Sequence, residues 1–185
     1  EMEKVRALLV DFGHSLNLET IVDNAGNVMI RKPAAPGMED RKGVILQAHM
    51  DMVAQKDPDV IHDFNTDPIE TEIVGTVVKA KRTTLGADDG IGVALIMTVL
   101  ASKNLKTGPI EGLFTVDEET TMSGANGLEL DLLQGEIFIN LDWETEGSFC
   151  IGSAGGQHVN ADMSYATENV PTGMEGYQIE LTGLL

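Results

Sequence analysis

Cysteine is almost absent: Cys150 is the single one among 185 residues, so no internal disulfide can form and a reducing compartment suits the chain. Basic residues are scarce as well, with 12 Lys and Arg against 30 Asp and Glu and a formal charge of −18. That balance repels a phosphate backbone and leaves no Lys/Arg cluster to neutralise one, which argues against a nucleic-acid partner. Long apolar runs are missing too. The longest, from about Ile91 to Ala101, is too short to cross a bilayer, and the opening "EMEKVRALLV" carries acids where a signal peptide carries bases. The expectation is a cytoplasmic protein with no membrane partner. There is no internal repeat, no low-complexity tract and no EF-hand loop.

What is present reads as alternating elements. Val5, Leu8, Leu9, Phe12 and Leu16 recur at helical spacing, which predicts an amphipathic surface helix over Met2 to Leu16. "TIVDNAGNVMIRK" has two β-prone arms around a turn and reads as a hairpin, and a second hairpin is expected around Gly75. Three apolar runs, "GVILQAHMD", "GPIEGLFTVDEET" and "GEIFINLDWE", read as buried strands whose carboxyl ends deliver a histidine or acids. Strands alternating with helices predict an α/β fold, a central sheet flanked by helices, in which sites form outside the carboxyl ends of the strands. The texture changes near residue 152, where a Gly-rich stretch leads to "YQIELTGLL", which alternates like a half-buried strand. This predicts a first unit over residues 1–151 and the incomplete start of a second over 152–185.

The chemistry-bearing residues sit at those strand ends. His49 and Asp51 are two apart in an extended segment, so their side chains leave one face and the carboxylate can hold the imidazole. Glu118 and Glu119, if strand geometry persists, point to opposite faces, one toward a cation and the other toward a water. That pairing suits metal-assisted hydrolysis; an ordinary solvated acidic loop is the plainer alternative, with Asp117 the bystander. Asp142 follows a strand too apolar to lie on a surface, and Trp143 beside it reads as core packing. In "LGADDGIG" the glycines at 86, 90 and 92 miss the dinucleotide-binding spacing, and two acids would repel a pyrophosphate. Asp88 and Asp89 remain as helix-start caps, as site residues, or as one of each.

Taken in order, "ILQAHMDM", "TTLGADDGIG", "FTVDEET" and "INLDWETEG" followed by "GSAGG" resemble the M20 metallopeptidases, most closely the aminoacyl-histidine dipeptidase group. The resemblance runs over essentially the whole chain. It implies a zinc-exopeptidase-like catalytic domain, of which this chain is the N-terminal part, with the start of an inserted lid domain. It implies that His49 binds one zinc with Asp51 as its orienting carboxylate, and that Asp88 bridges two zincs. Asp142 would complete the protein ligands of the His49 metal, Glu119 would bind the second metal, and Glu118 would be the general base. Two Zn2+ per full-length subunit are implied, with Co2+ or Mn2+ as substitutes, a small peptide substrate such as an Xaa-His dipeptide, and a homodimer in the full-length protein. Relatives that cleave tripeptides or N-acyl amino acids keep the same site. The family's last histidine ligand lies near the end of a longer chain. His14, His62 and His158 do not replace it convincingly, so this piece alone is expected to be inactive. A non-catalytic cation binder is disfavoured because His49 is a poor calcium ligand.

Overall fold

Leu9 anchors the first helix. In the computed structural model, which describes residues 2–153, 155, 160–177 and 179, helix α1 spans Met2–Ser15. Leu9 is fully buried, whereas Leu8 is 55% and Val5 36% exposed. The expected helix is therefore there, with Leu9, Phe12 and Leu16 of its apolar stripe packed on the core and Val5 and Leu8 left facing solvent.

The predicted hairpin forms β1 (Glu19–Val22) and β2 (Val28–Lys32), paired antiparallel with Glu19 opposite Arg31. The three apolar runs form β3 (Val44–His49), β6 (Ile110–Thr115) and β7 (Ile137–Asn140). Between β3 and β6 lie a separate two-stranded hairpin, β4 (Thr71–Val74) with β5 (Val77–Ala80), and helix α2 (Ala87–Ala101). Its turn at Gly75 has φ of 64°, a left-handed conformation that glycine adopts without a Cβ penalty. The five-stranded sheet has the order β1-β2-β6-β3-β7. β1, β2 and β6 are antiparallel neighbours, and β6, β3 and β7 run parallel. The expected α/β architecture of a central sheet flanked by helices is thus present, as a mixed sheet.

One face carries Val28, Ile30, Ile110, Phe114 and Ala48, packed with Leu9 of α1 and Ile96 and Leu100 of α2. The buried positions of α2, Asp89, Gly92, Ile96 and Leu100, recur at the three-to-four spacing of one helix face. β6 brings Gly112 under this helix. A Cβ there would meet Ile96 Cγ2 at 2.6 Å, so the missing side chain is what lets α2 lie on the strand. On the opposite face Glu111 is buried. Its carboxylate accepts from Arg31 Nε at 2.9 Å and from the amides of Gln134 and Gly135, tying the segment before β7 to the sheet.

β7 departs from expectation. "IFINL" was apolar enough to read as a buried strand, yet Ile137, Phe138 and Ile139 are 42%, 54% and 39% exposed. Among the described residues β7 pairs only with β3, and an edge strand without a covering layer leaves its side chains in solvent. Trp143 is likewise half exposed rather than packed in a core, its Nε1 donating to Ser148 Oγ at 2.7 Å.

The chain divides into two units, Glu1–Phe149 and Cys150–Leu185. The second has no helix or strand among its described residues. The strand expected in "YQIELTGLL" falls largely on residues outside the described set, as does His158. No described helix is long and apolar enough to cross a membrane.

Candidate metal centre

The parallel register brings three strand ends level: His49 of β3 pairs with Thr115 of β6, and Gln47 with Asn140 of β7. Just beneath the ends, Gln47 Nε2 donates to Thr115 Oγ1 at 3.1 Å and Asn140 Nδ2 donates to Gln47 Oε1 at 2.6 Å. This polar ladder holds the three exits side by side. No sequence pattern marked Gln47 or Asn140, because their partners lie on other strands.

His49 is 1% exposed. Its Nδ1 is bonded to the main-chain carbonyl of Asp51 at 3.0 Å, with the Asp51 carboxylate further off at 3.5 Å. That contact leaves Nε2 aimed at carboxylates: Asp88 Oδ1 stands at 2.8 Å and Asp142 Oδ2 at 3.8 Å. Burial opposes a charge on the ring, but the hydrogen bond to Asp88 and the charges of Asp142 and Asp51 outweigh it, and the His49 pKa is raised. Asp142 is pushed up to about 6, first by burial and then by the negative charge of Asp88. Glu119 is also raised, by burial and then by Asp88. Burial and like charges close by both disfavour the ionised form of a carboxyl, which is why Asp142 and Glu119 move up.

Two sets of ligand atoms lie within 4.8 Å of one another among the described residues: His49, Asp88 and Asp142, and His49, Glu118 and Glu119. An imidazole with several carboxylates is a donor set that suits zinc, and a buried histidine argues against an oxygen-only cation. The six residues singled out in the sequence therefore do come together. The route of two of them differs from expectation. Strand geometry does not persist to Glu118 and Glu119, because β6 stops at Thr115 and Asp117 takes a left-handed φ of 59°. The chain turns there, and both glutamates approach His49 instead of facing opposite sides.

Asp117, read as a bystander, organises that turn. It accepts from the hydroxyls of Thr120 and Thr121 and from the Ser123 amide, which holds its carboxyl well below the usual range. Asn27, 2% exposed, pins the same segment: its Oδ1 accepts the Val116 amide at 3.1 Å and its Nδ2 donates to the Gly124 carbonyl at 2.9 Å. A Cβ on Gly124 would sit 2.3 Å from the Val116 carbonyl oxygen. Gly124→Ala is accordingly expected to destabilise the fold by about 1–3 kcal/mol, as overpacking against fixed backbone does. A shift of the urea midpoint at unchanged slope would measure it.

The start of α2 separates the two acids of "GADDGIG". Asp88 and Asp89 have non-helical backbone angles, the peptide between them is cis, and regular helix begins after them. Asp89 is 4% exposed and its Oδ1 accepts the Gly92 amide at 3.0 Å, a helix-start cap. Burial raises its pKa. Asp88, half exposed, points at His49 instead. A cavity of about 180 Å³ opens beside Glu118 and Asp142, lined in part by Gln47, Met122, Leu128 and Phe138.

A mixed sheet with a buried histidine and carboxylates gathered at the carboxyl ends of its parallel strands defines an α/β fold, and solved structures of peptidases resemble it. An aminoacylhistidine dipeptidase from Vibrio alginolyticus superimposes with a TM-score of 0.76 at 53% identity, over 78% of this chain and 30% of that one. Aminopeptidase PepT from Bacillus cereus gives 0.60 at 25% identity, over 75% of this chain and 37% of that one. A tripeptidase from Staphylococcus aureus, 21% identical with a TM-score of 0.62 over 76% of this chain and 38% of that one, shares the fold. In sequence the chain is 46% identical over 182 residues to the cytosol non-specific dipeptidase of Escherichia coli K12. The alignment takes in 98% of this chain and 38% of that protein, so the chain spans well under half the length of its curated relative. No family model matches. The resemblance to the aminoacyl-histidine dipeptidase group, drawn from four motifs, therefore stands.

Proposed function

We propose that this chain is the N-terminal part of a cytoplasmic metallo-dipeptidase that hydrolyses unblocked dipeptides, Xaa-His among them, with two zinc ions. The observation that carries the reading is the convergence of His49 and Asp142 from the ends of parallel strands with Asp88 from the start of α2, and of Glu118 and Glu119 beside the same histidine. Residues 1–151 are part of the catalytic domain and 152–185 begin a lid, which in the full-length protein serves a homodimer.

In this reading His49, Asp88 and Asp142 would hold one zinc, and Asp88 and Glu119 would help to hold a second. Bound zinc would supply a Lewis acid for the scissile carbonyl and for a water molecule. The protein's own groups do the rest. Asp51 fixes the ring tautomer through its main-chain carbonyl, leaving Nε2 free to ligate. Glu118 takes the proton of the attacking water and returns it to the leaving amine. The cavity next to Glu118 and Asp142 offers space for a small side chain.

Because this reading gives the second site two protein ligands among the described residues, Asp88 and Glu119, against three for the first, the 185-residue chain is expected to bind one zinc at least about tenfold more tightly than any other, and not to hydrolyse dipeptides. Isothermal calorimetry showing two equally tight sites, or peptidase activity in this chain alone, would refute this assignment.

A further inference from the structure

The carboxylate of Asp51 faces the main chain of the loop after β6. Its Oδ1 accepts the Glu118 amide at 3.1 Å and its Oδ2 accepts the Glu119 amide at 3.1 Å. The side chain is 11% exposed. The histidine ring, by contrast, donates from Nδ1 to the Asp51 carbonyl at 3.0 Å, a main-chain acceptor that any residue at this position would supply.

We propose that Asp51 is a positioning residue for the Glu118–Glu119 pair: its side chain ties the loop after β6 to the end of β3 and so sets both glutamates against His49. Two consecutive amides gripping the two oxygens of one carboxylate fix the peptide plane between them, and hydrogen bonds to an ionised acceptor are about twice as strong as neutral ones. The tie is needed because the chain has already left the sheet. Thr115 is the last residue of β6, and Asp117 has turned the backbone left-handed before Glu118 begins. The clasps by Asp117 and Asn27 hold that turn to itself and to the start of β2, whereas among the described residues the hydrogen bonds from Glu118 and Glu119 to the end of β3 are those to Asp51. One residue thus serves both halves of the centre, the ring through its main chain and the glutamates through its side chain. The bearing of this on hydrolysis rests on the metallopeptidase reading; the clasp itself does not.

Asp51→Asn is the test, because it keeps the shape and the main-chain carbonyl while replacing one acceptor oxygen by a donor that opposes an amide. In the metal-free 185-residue chain, hydrogen exchange at the Glu118 and Glu119 amides is expected to accelerate by about tenfold or more. In zinc calorimetry of the same variant, the tighter site is expected to weaken by less than about tenfold, since His49, Asp88 and Asp142 are untouched. Unchanged exchange at both amides would overturn the proposal. So would a tighter site weakened by tenfold or more, the result expected if the carboxylate worked through the imidazole. Should the variant not fold, the wild-type chain decides: protected Glu118 and Glu119 amides uphold the clasp and freely exchanging ones sink it. A wild-type chain that binds no zinc would remove the metal reading while leaving the exchange result to judge Asp51.

Discussion

Glu118→Gln, made in a full-length protein that carries this chain, is expected to lower dipeptide turnover by about 100- to 10,000-fold with zinc content unchanged. The amide is isosteric with the acid but accepts no proton at neutral pH. The Glu118 contact with Asp51 runs through the backbone amide, so the substitution leaves the loop where it is. The loss is expected in kcat and in kcat/KM alike, because the proton transfer belongs to the transition state and not to substrate binding. A panel of dipeptides measured alongside metal analysis checks it. Normal turnover in a fully metallated variant would mean that another group is the base, and Glu119 would be the next to examine.

Asp88→Ala is expected to have the second largest effect, weakening zinc binding by more than the roughly 10- to 100-fold that loss of an outer hydrogen-bond partner costs. Asp88 is the carboxylate nearest the His49 Nε2, at 2.8 Å, and its charge is among the causes that raise Asp142 and Glu119. This gives the variant a pH signature. Zinc binds the deprotonated carboxylate and the neutral imidazole, so protons compete with it. In the wild-type chain, zinc affinity is expected to fall as pH drops, because protons compete for His49, whose pKa is raised, and for Asp142, pushed up to about 6. Without Asp88, the Asp142 carboxyl loses a like-charged neighbour and its midpoint is expected to move down toward the ordinary aspartate range. Carboxyl chemical shifts followed through a pH titration of the two metal-free chains would report that movement. An Asp142 midpoint that stays put would show that burial alone sets it.

Much of the architecture was legible because its causes are local. The helical spacing around Leu9 and the turn in "DNAGN" each specify their element within a dozen residues or so. The apolar runs ending on acids were readable for the same reason, and strand ends in α/β sheets are where sites form. The exposure of β7 was not readable, because apolar content marks what a strand can bury but not whether a neighbour is there to bury it. Trp143 misled for the same reason. Glu118 and Glu119 were placed on opposite faces by extending the strand two residues too far; the left-handed turn at Asp117 depends on Thr120, Thr121 and Ser123 folding back onto its carboxylate. Asp89 alone behaved as its position before an apolar helix suggested, and the Gly92 amide two glycines into that helix is its partner.

By itself, the sequence determined which residue types stand at the ends of which elements: a histidine after one strand, acids after two others and before a helix. Those follow from periodicity and from side-chain chemistry, which act over a few residues. Only the tertiary structure decided that the ends coincide. β3 lies between β6 and β7, and its long-range parallel pairings with both bring His49, Glu118, Glu119 and Asp142 to one place, where Asp88 joins them from the start of α2, out of segments spread over nearly a hundred residues. The partners of the Asp51 carboxylate were decided there too. Hydrogen bonds to amides 67 and 68 residues away leave no trace in local spacing, because what creates them is the register of two strands and the turn that follows one of them.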